Sequence, residues 1–158
     1  MSNTMTSDDT RAARTEAVRA LEAEFGELIN RFRRIITENA NRVSPGMLPG
    51  AYKVFTTIVR REEITLSALA ESLMADKGQI SRTVRELEGL GLVQRTPDPA
   101  DGRSSLLSPT ATGLERLADA RAPQESLLVD ALDDWPLTDI LNLTRLLHAL
   151  TLGERPDS

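Results

Sequence analysis

A mainly α chain built around a winged helix-turn-helix, with long helices at both ends, is predicted by three features. Two short helical patterns, 66–73 and 77–90, are divided by only three residues, which is the spacing of a helix-turn-helix. Residues 92–96 and 104–108 then read as two strands around a loop rich in Pro, Asp and Gly, a hairpin in the place of a wing. Long apolar-periodic segments, 10–42 and 110–152, flank this 49–108 unit.

The 158 residues suggest a single domain, 1–158. A chain near this size buries roughly 70% of its unfolded surface. With 40% hydrophobic and 27% charged residues, the composition is that of a globular protein. The absence of cysteine removes disulfides, a thiol switch and Cys-ligated zinc, and His148 is the only histidine. No metal site or cofactor is expected. The N-terminal segment MSNTMTSDDT lacks an apolar centre, and no apolar run approaches a bilayer span, so a cytoplasmic protein is expected, with no membrane partner.

A net charge of −5 at first argues against nucleic acid, but its distribution does not. Residues 1–42 are balanced, 43–64 carry net +1 and 65–108 net −1, while 109–158 carry net −5. The acidic excess therefore sits in the last third, and DNA binding needs a basic face rather than a basic chain.

Residues 1–10 read as frayed. A helix is expected from about Thr10 to Asn41, in which Val18, Leu21, Phe25, Leu28, Phe32 and Ile35 follow a heptad seam widened by Ile29 and Ile36. Such a stripe either lies on its own core or pairs with a second subunit. The Pro- and Gly-rich segment 44–50 is a loop, followed by a helix from about Pro49 to Arg60 carrying Tyr52, Phe55, Ile58 and Val59. After the wing, a helix is expected from Thr110 to about Asp133. Pro136 then opens a last one, to Leu152, with Ile140, Leu143, Leu147 and Leu150 apolar.

The second helix of the motif carries the chemistry. Asp76 with Gln79 three residues on fits a capping box. Ile80, Val84, Leu87 and Gly91 fall on one face and are expected to point inward. At 100° per residue the opposite face holds Gly78, Ser81, Arg82, Arg85 and Gly89. An arginine fork can bond guanine O6 and N7 in the major groove, or grip phosphate. Lys77 and the free N–H groups of the first turn favour phosphate. In the hairpin loop, Asp98 and Asp101 can bond the backbone, and Arg103 lies just past the tip, where a wing reaches a minor groove. An ordinary solvated helix face and a plain surface hairpin are the competing readings of these segments.

Residues 66–113 resemble the MarR family of regulators. The resemblance rests on LSALAESL, DKGQISRTVRELEGLGLVQR, the wing DPADGR (the family's D-P-x-D-x-R pattern) and Thr110-Ala111-Thr112-Gly113, similar to the T-x-x-G that opens the family's next helix. It implies a homodimer paired by the first and last helices, binding a pseudo-palindromic operator in double-stranded DNA. It implies major-groove contacts from Ser81, Arg82 and Arg85, with Lys77 and Gln79 adjacent, and a minor-groove Arg103. It also implies a repressor released by a small aromatic or anionic effector lodged between the dimerisation helices and the winged domain. Phe32, Arg33, Ile36, Tyr52 and Phe55 are the candidates to line that site. Met74 and Ala75 depart from the family's usual turn, and Ala68 stands where Glu is common.

Two other classes compete. A winged helix that has lost DNA binding and serves protein interaction is disfavoured by the arginines at 82, 85 and 103. No enzyme is expected, because no nucleophile–base pair, phosphate loop or metal spacing occurs. His148, in a Leu-rich stretch, reads as an interface or surface residue.

Overall fold

The computed structural model describes residues 7–156 apart from Ser126. Helix α1 runs Ser7–Val43, about 55 Å at 1.5 Å per residue. It starts earlier than expected, so within the expected frayed segment residues 7–10 are helical, while 1–6 lie outside the described residues. Asp8 and Asp9 in the first turn and Arg42 in the last suit the helix dipole. Pro49 then opens α2, Pro49–Arg61.

The chain next makes a tight reversal. Glu62 holds φ 63° and ψ −53°, and the Glu63 N–H donates to Arg61 O at 2.7 Å. This is a γ-turn with positive φ on a non-glycine residue, a strained arrangement. It delivers the chain into β1 (Ile64–Thr65), and then α3 (Leu66–Ser72) and α4 (Lys77–Gly89) follow. The wing is β2 (Val93–Pro97) and β3 (Ser105–Pro109). The sheet is antiparallel in the order β1-β3-β2, with Ile64 opposite Leu107 and Arg95 opposite Leu107 on the other side. The expected hairpin is therefore a three-stranded sheet. Two residues are too short to leave an alternation in the sequence.

One compact unit spans residues 1–120. Its core gathers Phe55 and Ile58 of α2, Leu69 of α3, Val84 and Leu87 of α4, Leu92, and Leu107 of β3, all fully buried. Tyr52 and Val54 of α2 and Ile80 of α4 join them. From α1 only Ala40 and Val43 reach this core, while Val18, Leu21, Leu28, Ile29, Phe32 and Ile36 are exposed and Phe25 and Ile35 half-buried.

Helix α5, Ala111–Glu125, belongs to the first unit as far as Ala120, and its Leu117 and Ala120 join that core. The second unit is residues 121–158 and holds α6, Leu127–Leu132, and α7, Leu137–Leu152. The helix expected from 110 to 133 is helical at Ala111–Glu125 and Leu127–Leu132, and Ser126 lies outside the described residues. Pro123 lies near the end of α5, where it removes an N–H and crowds the preceding turn. Pro136 caps α7, and Gly153, at φ 69°, closes it in the left-handed region. Leu141, Leu143, Leu146, Leu147 and Leu150 of α7 are exposed. No described helix is long and apolar enough to cross a membrane.

Candidate nucleic-acid interface

Each joint around α4 is closed by a specific backbone device. Thr65 caps α3, its hydroxyl accepting from the Ala68 N–H at 3.2 Å. At the other end of α3, Met74 N–H donates to Glu71 O and Ala75 N–H to Ala70 O. That pair of bonds is a Schellman closure with Met74 at the left-handed position, φ 49°. The position normally favours glycine, and the Met74 side chain stands 95% exposed. Asp76 then starts α4, its Oδ2 accepting from the Gln79 N–H at 3.0 Å.

Helix α4 ends in a second Schellman closure: Gly91 N–H donates to Glu88 O, and Leu92 N–H to Leu87 O. Gly91 takes φ 74° and is exposed. This corrects its expected place in the core beside Ile80, Val84 and Leu87, because the helix has already ended and Gly91 turns the chain instead. The expected role of Gly78 and Gly89 in admitting another backbone finds no partner here. A Cβ at Gly78 would meet the capping Asp76 carboxylate, and one at Gly89 would meet open space.

The wing loop is braced as its sequence suggests. Asp98 Oδ1 accepts from Ala100 N–H at 2.9 Å, and Asp101 Oδ1 from Arg103 N–H at 3.0 Å. Beyond β3, Thr110 joins the wing to α5 and to the end of α4. Its hydroxyl donates to Gly91 O at 2.5 Å and accepts from Gly113 N–H at 2.9 Å. Its own N–H donates to Leu92 O at 3.0 Å. Gly113 sits so close to the Leu92 carbonyl that a Cβ would collide with it. The threonine and glycine of the T-x-x-G segment thus have separate physical causes, a double hydrogen bond and a close backbone approach.

Lys77, Gln79, Arg82 and Arg85 are exposed on α4, with Ser81 half-buried, and Arg103 is exposed on the wing. The described residues show no ion pair at Arg82, Arg85 or Arg103. Lys77 differs, since its Nζ donates to Ser67 Oγ on α3 at 2.8 Å. One pairing has no local signature in the sequence. Arg95 Nε on β2 meets Glu88 Oε1 on α4 at 2.7 Å, the side chains 32% and 28% exposed. The helix-end acid was a visible cue, but its partner lies beyond a chain reversal that local pattern does not resolve.

Of the expected effector-lining residues, Arg33, Ile36 and Tyr52 line one concavity of about 640 Å³ between α1 and α2, with Thr37, Pro49, Gly50, Lys53 and Thr56. Phe55 is fully buried in the core and Phe32 stands exposed on α1, neither of them in that lining.

Residues 49–105 match the family model described as MarR family. The HTH-type transcriptional regulator YdgJ of Bacillus subtilis is 26% identical over 87 residues, 55% of this chain and 53% of that protein. An HTH-type transcriptional regulator of Mycobacterium leprae is 32% identical over 77 residues, 49% of this chain and 54% of that one. The chain thus matches about half the length of these curated relatives. Among solved structures, Streptococcus pneumoniae FabT in complex with DNA superposes with a TM-score of 0.74 at 16% identity, covering 86% of this chain and 96% of that one. Apo MarR of E. coli superposes with a TM-score of 0.62 at 22% identity, covering 81% and 95%. The motif, the wing and the match to the MarR family model coincide on one stretch, and the solved structures share its winged helix-turn-helix fold.

Proposed function

We propose that the protein is a sequence-specific DNA-binding transcriptional regulator that acts as a homodimer on a pseudo-palindromic operator in double-stranded DNA. One observation carries this reading: Arg82 and Arg85 on α4 and Arg103 on the wing are exposed and without ion pairs among the described residues. A solvated face ordinarily intersperses charges of both signs. Cations held on a helix and on a wing tip suit a major groove and the adjacent minor groove. Ser81 and Gln79 supply hydrogen-bonding groups beside them, and Lys77 sits at the helix start, where N–H groups favour phosphate. The relatives are described as transcriptional regulators, and FabT and a MarR variant are described in complexes with DNA, which supports the assignment by analogy.

The dimer follows from the apolar stripe of α1, too large to leave in water. The leucines of α7 make a second such stripe on the other unit. A two-fold pair would set two α4 helices one DNA turn apart, about 34 Å. The α1–α2 concavity is the place for a small effector. Ile36 and Tyr52 offer apolar surface, and Arg33 and Lys53 offer positive charge. An aromatic carboxylate matches that lining, and its release of DNA would make the protein a repressor.

The test is selection from a random duplex library with the purified protein, followed by sequencing. The expected result is an inverted repeat whose half-sites lie about one helical turn apart. Recovery of no enriched sequence, with binding equal on all duplexes, would overturn the reading.

A further inference from the structure

We propose that Glu88 and Arg95 form a strut that fixes the angle of the wing against α4, and that Arg95 is a positioning residue rather than a DNA contact. The proposal rests on the DNA-binding reading for its consequence but on geometry for its existence. Arg95 lies opposite Leu107 in the β2–β3 ladder. Opposed residues share a sheet face, and Leu107 is fully buried. Arg95 therefore lies on the sheet face that carries Leu107, and its exposed side chain runs back to the end of α4 rather than out along the wing. Its guanidinium ends on the Glu88 carboxylate at 2.7 Å, whereas the ion pair of Arg42 with Glu38 is at 3.9 Å between more exposed side chains.

Glu88 is itself out of place by local rules. It occupies the last turn of α4, which holds no basic residue, and a carboxylate at a helix C-terminus is opposed by the helix dipole. A DNA-facing domain also gains nothing from a bare acid there. Both costs are offset if the carboxylate serves to hold Arg95. Between the two partners the chain reverses at Gly91 and passes through buried Leu92 and Val93. The backbone joint between α4 and β2 is thereby anchored at its base, and the strut adds a second attachment farther along the wing. The β3 side of the wing is held by the β1 ladder and by Thr110; the strut is the side-chain tie on the β2 side, and the wing angle that these ties set governs how far Arg103 stands from Arg82 and Arg85.

The experiment compares Glu88→Gln, Arg95→Gln, the double variant and the charge swap Glu88→Arg with Arg95→Glu. Each is titrated against the selected duplex over a range of salt, and amide hydrogen exchange is read across residues 93–109 without DNA. A strut predicts that Glu88→Gln weakens binding on the order of five-fold, as for a modest ion pair, although it removes a negative charge. Arg95→Gln should match it with an unchanged salt slope, the double variant should be no worse, and the swap should restore binding. Wing amides should exchange faster in both single variants.

A phosphate contact at Arg95 predicts the reverse: tighter binding in Glu88→Gln, a slope reduced by about 0.9 in Arg95→Gln, and the swap as the weakest binder. Any of these overturns the proposal, as does unchanged wing exchange in Glu88→Gln. If the wild-type protein binds no duplex while wing exchange still rises in both single variants, the DNA reading fails and the strut stands.

Discussion

Helices α1 and α2 carry apolar stripes of the same kind and put them in opposite places. In α2, Phe55 and Ile58 are fully buried and Tyr52 and Val54 nearly so. In α1, Phe32 is 52% exposed and Leu28 44%. Periodicity reports which side chains share a face and is silent about what covers that face. For α2 the cover is the body of the domain, in contact through α3, α4 and β3. For most of α1 nothing in its own unit covers the face, and a second copy of the chain is the proposed cover. The winged body thus closes its own core, while the apolar face of α1 stays exposed among the described residues.

The largest effect that separates the two is at the paired phenylalanines. Phe55→Ala should cost about 3–5 kcal/mol, because it leaves a cavity in a closed core. Phe32→Ala should leave the fold intact, and Leu28→Asp with Phe32→Asp should shift sedimentation from dimer to monomer. If that double variant sediments as the wild type does, α1 is not the interface.

Next comes the joint at Gly113. A methyl there meets the Leu92 carbonyl, so Gly113→Ala should destabilise by about 1–3 kcal/mol, as over-packing does. Gly89→Ala, facing open space, should not destabilise, and denaturant melts of the two variants check the contrast. Smaller still is the cap of α4: Asp76→Ala should cost about 1 kcal/mol.

The smallest effect has the opposite sign. A left-handed residue costs roughly 1–2 kcal/mol, and glycine's extra chain entropy returns roughly 0.5–1 of that. Met74→Gly should therefore stabilise by about 0.5 kcal/mol in the same melts.

These contrasts also mark what could be read from sequence. The helix-turn-helix was legible because Asp76 announces a helix start, and Ile80, Val84 and Leu87 keep one face. The wing was legible because Asp98 and Asp101 are turn formers with a mechanism. The strand at Ile64–Thr65 was not, since two residues carry no period. Gly91 departs from the helical face of Ile80, Val84 and Leu87 because α4 ends at Gly89, and the glycine closes the helix instead. The meeting of Glu88 with Arg95, and of Gly113 with Leu92, depends on tertiary approach that no local pattern encodes. The proposed contact residues were found on α4 and the wing because exposure follows directly from the helical period and the loop position, while the effector-lining set mixed Arg33, Ile36 and Tyr52 with a core residue, Phe55.

The most direct test of the DNA-facing assignment is a titration of the selected duplex with wild-type protein and with the triple variant Arg82→Ala, Arg85→Ala, Arg103→Ala. These side chains project away from the core, so far-UV dichroism and melting should match the wild type. With about 1–3 kcal/mol expected at each arginine that contacts DNA, the triple variant should lose at least about a hundredfold in affinity, and its salt slope should fall. A triple variant that is folded and binds the duplex as tightly as the wild type, with the same slope, would contradict the assignment of α4 and the wing as the DNA-binding face.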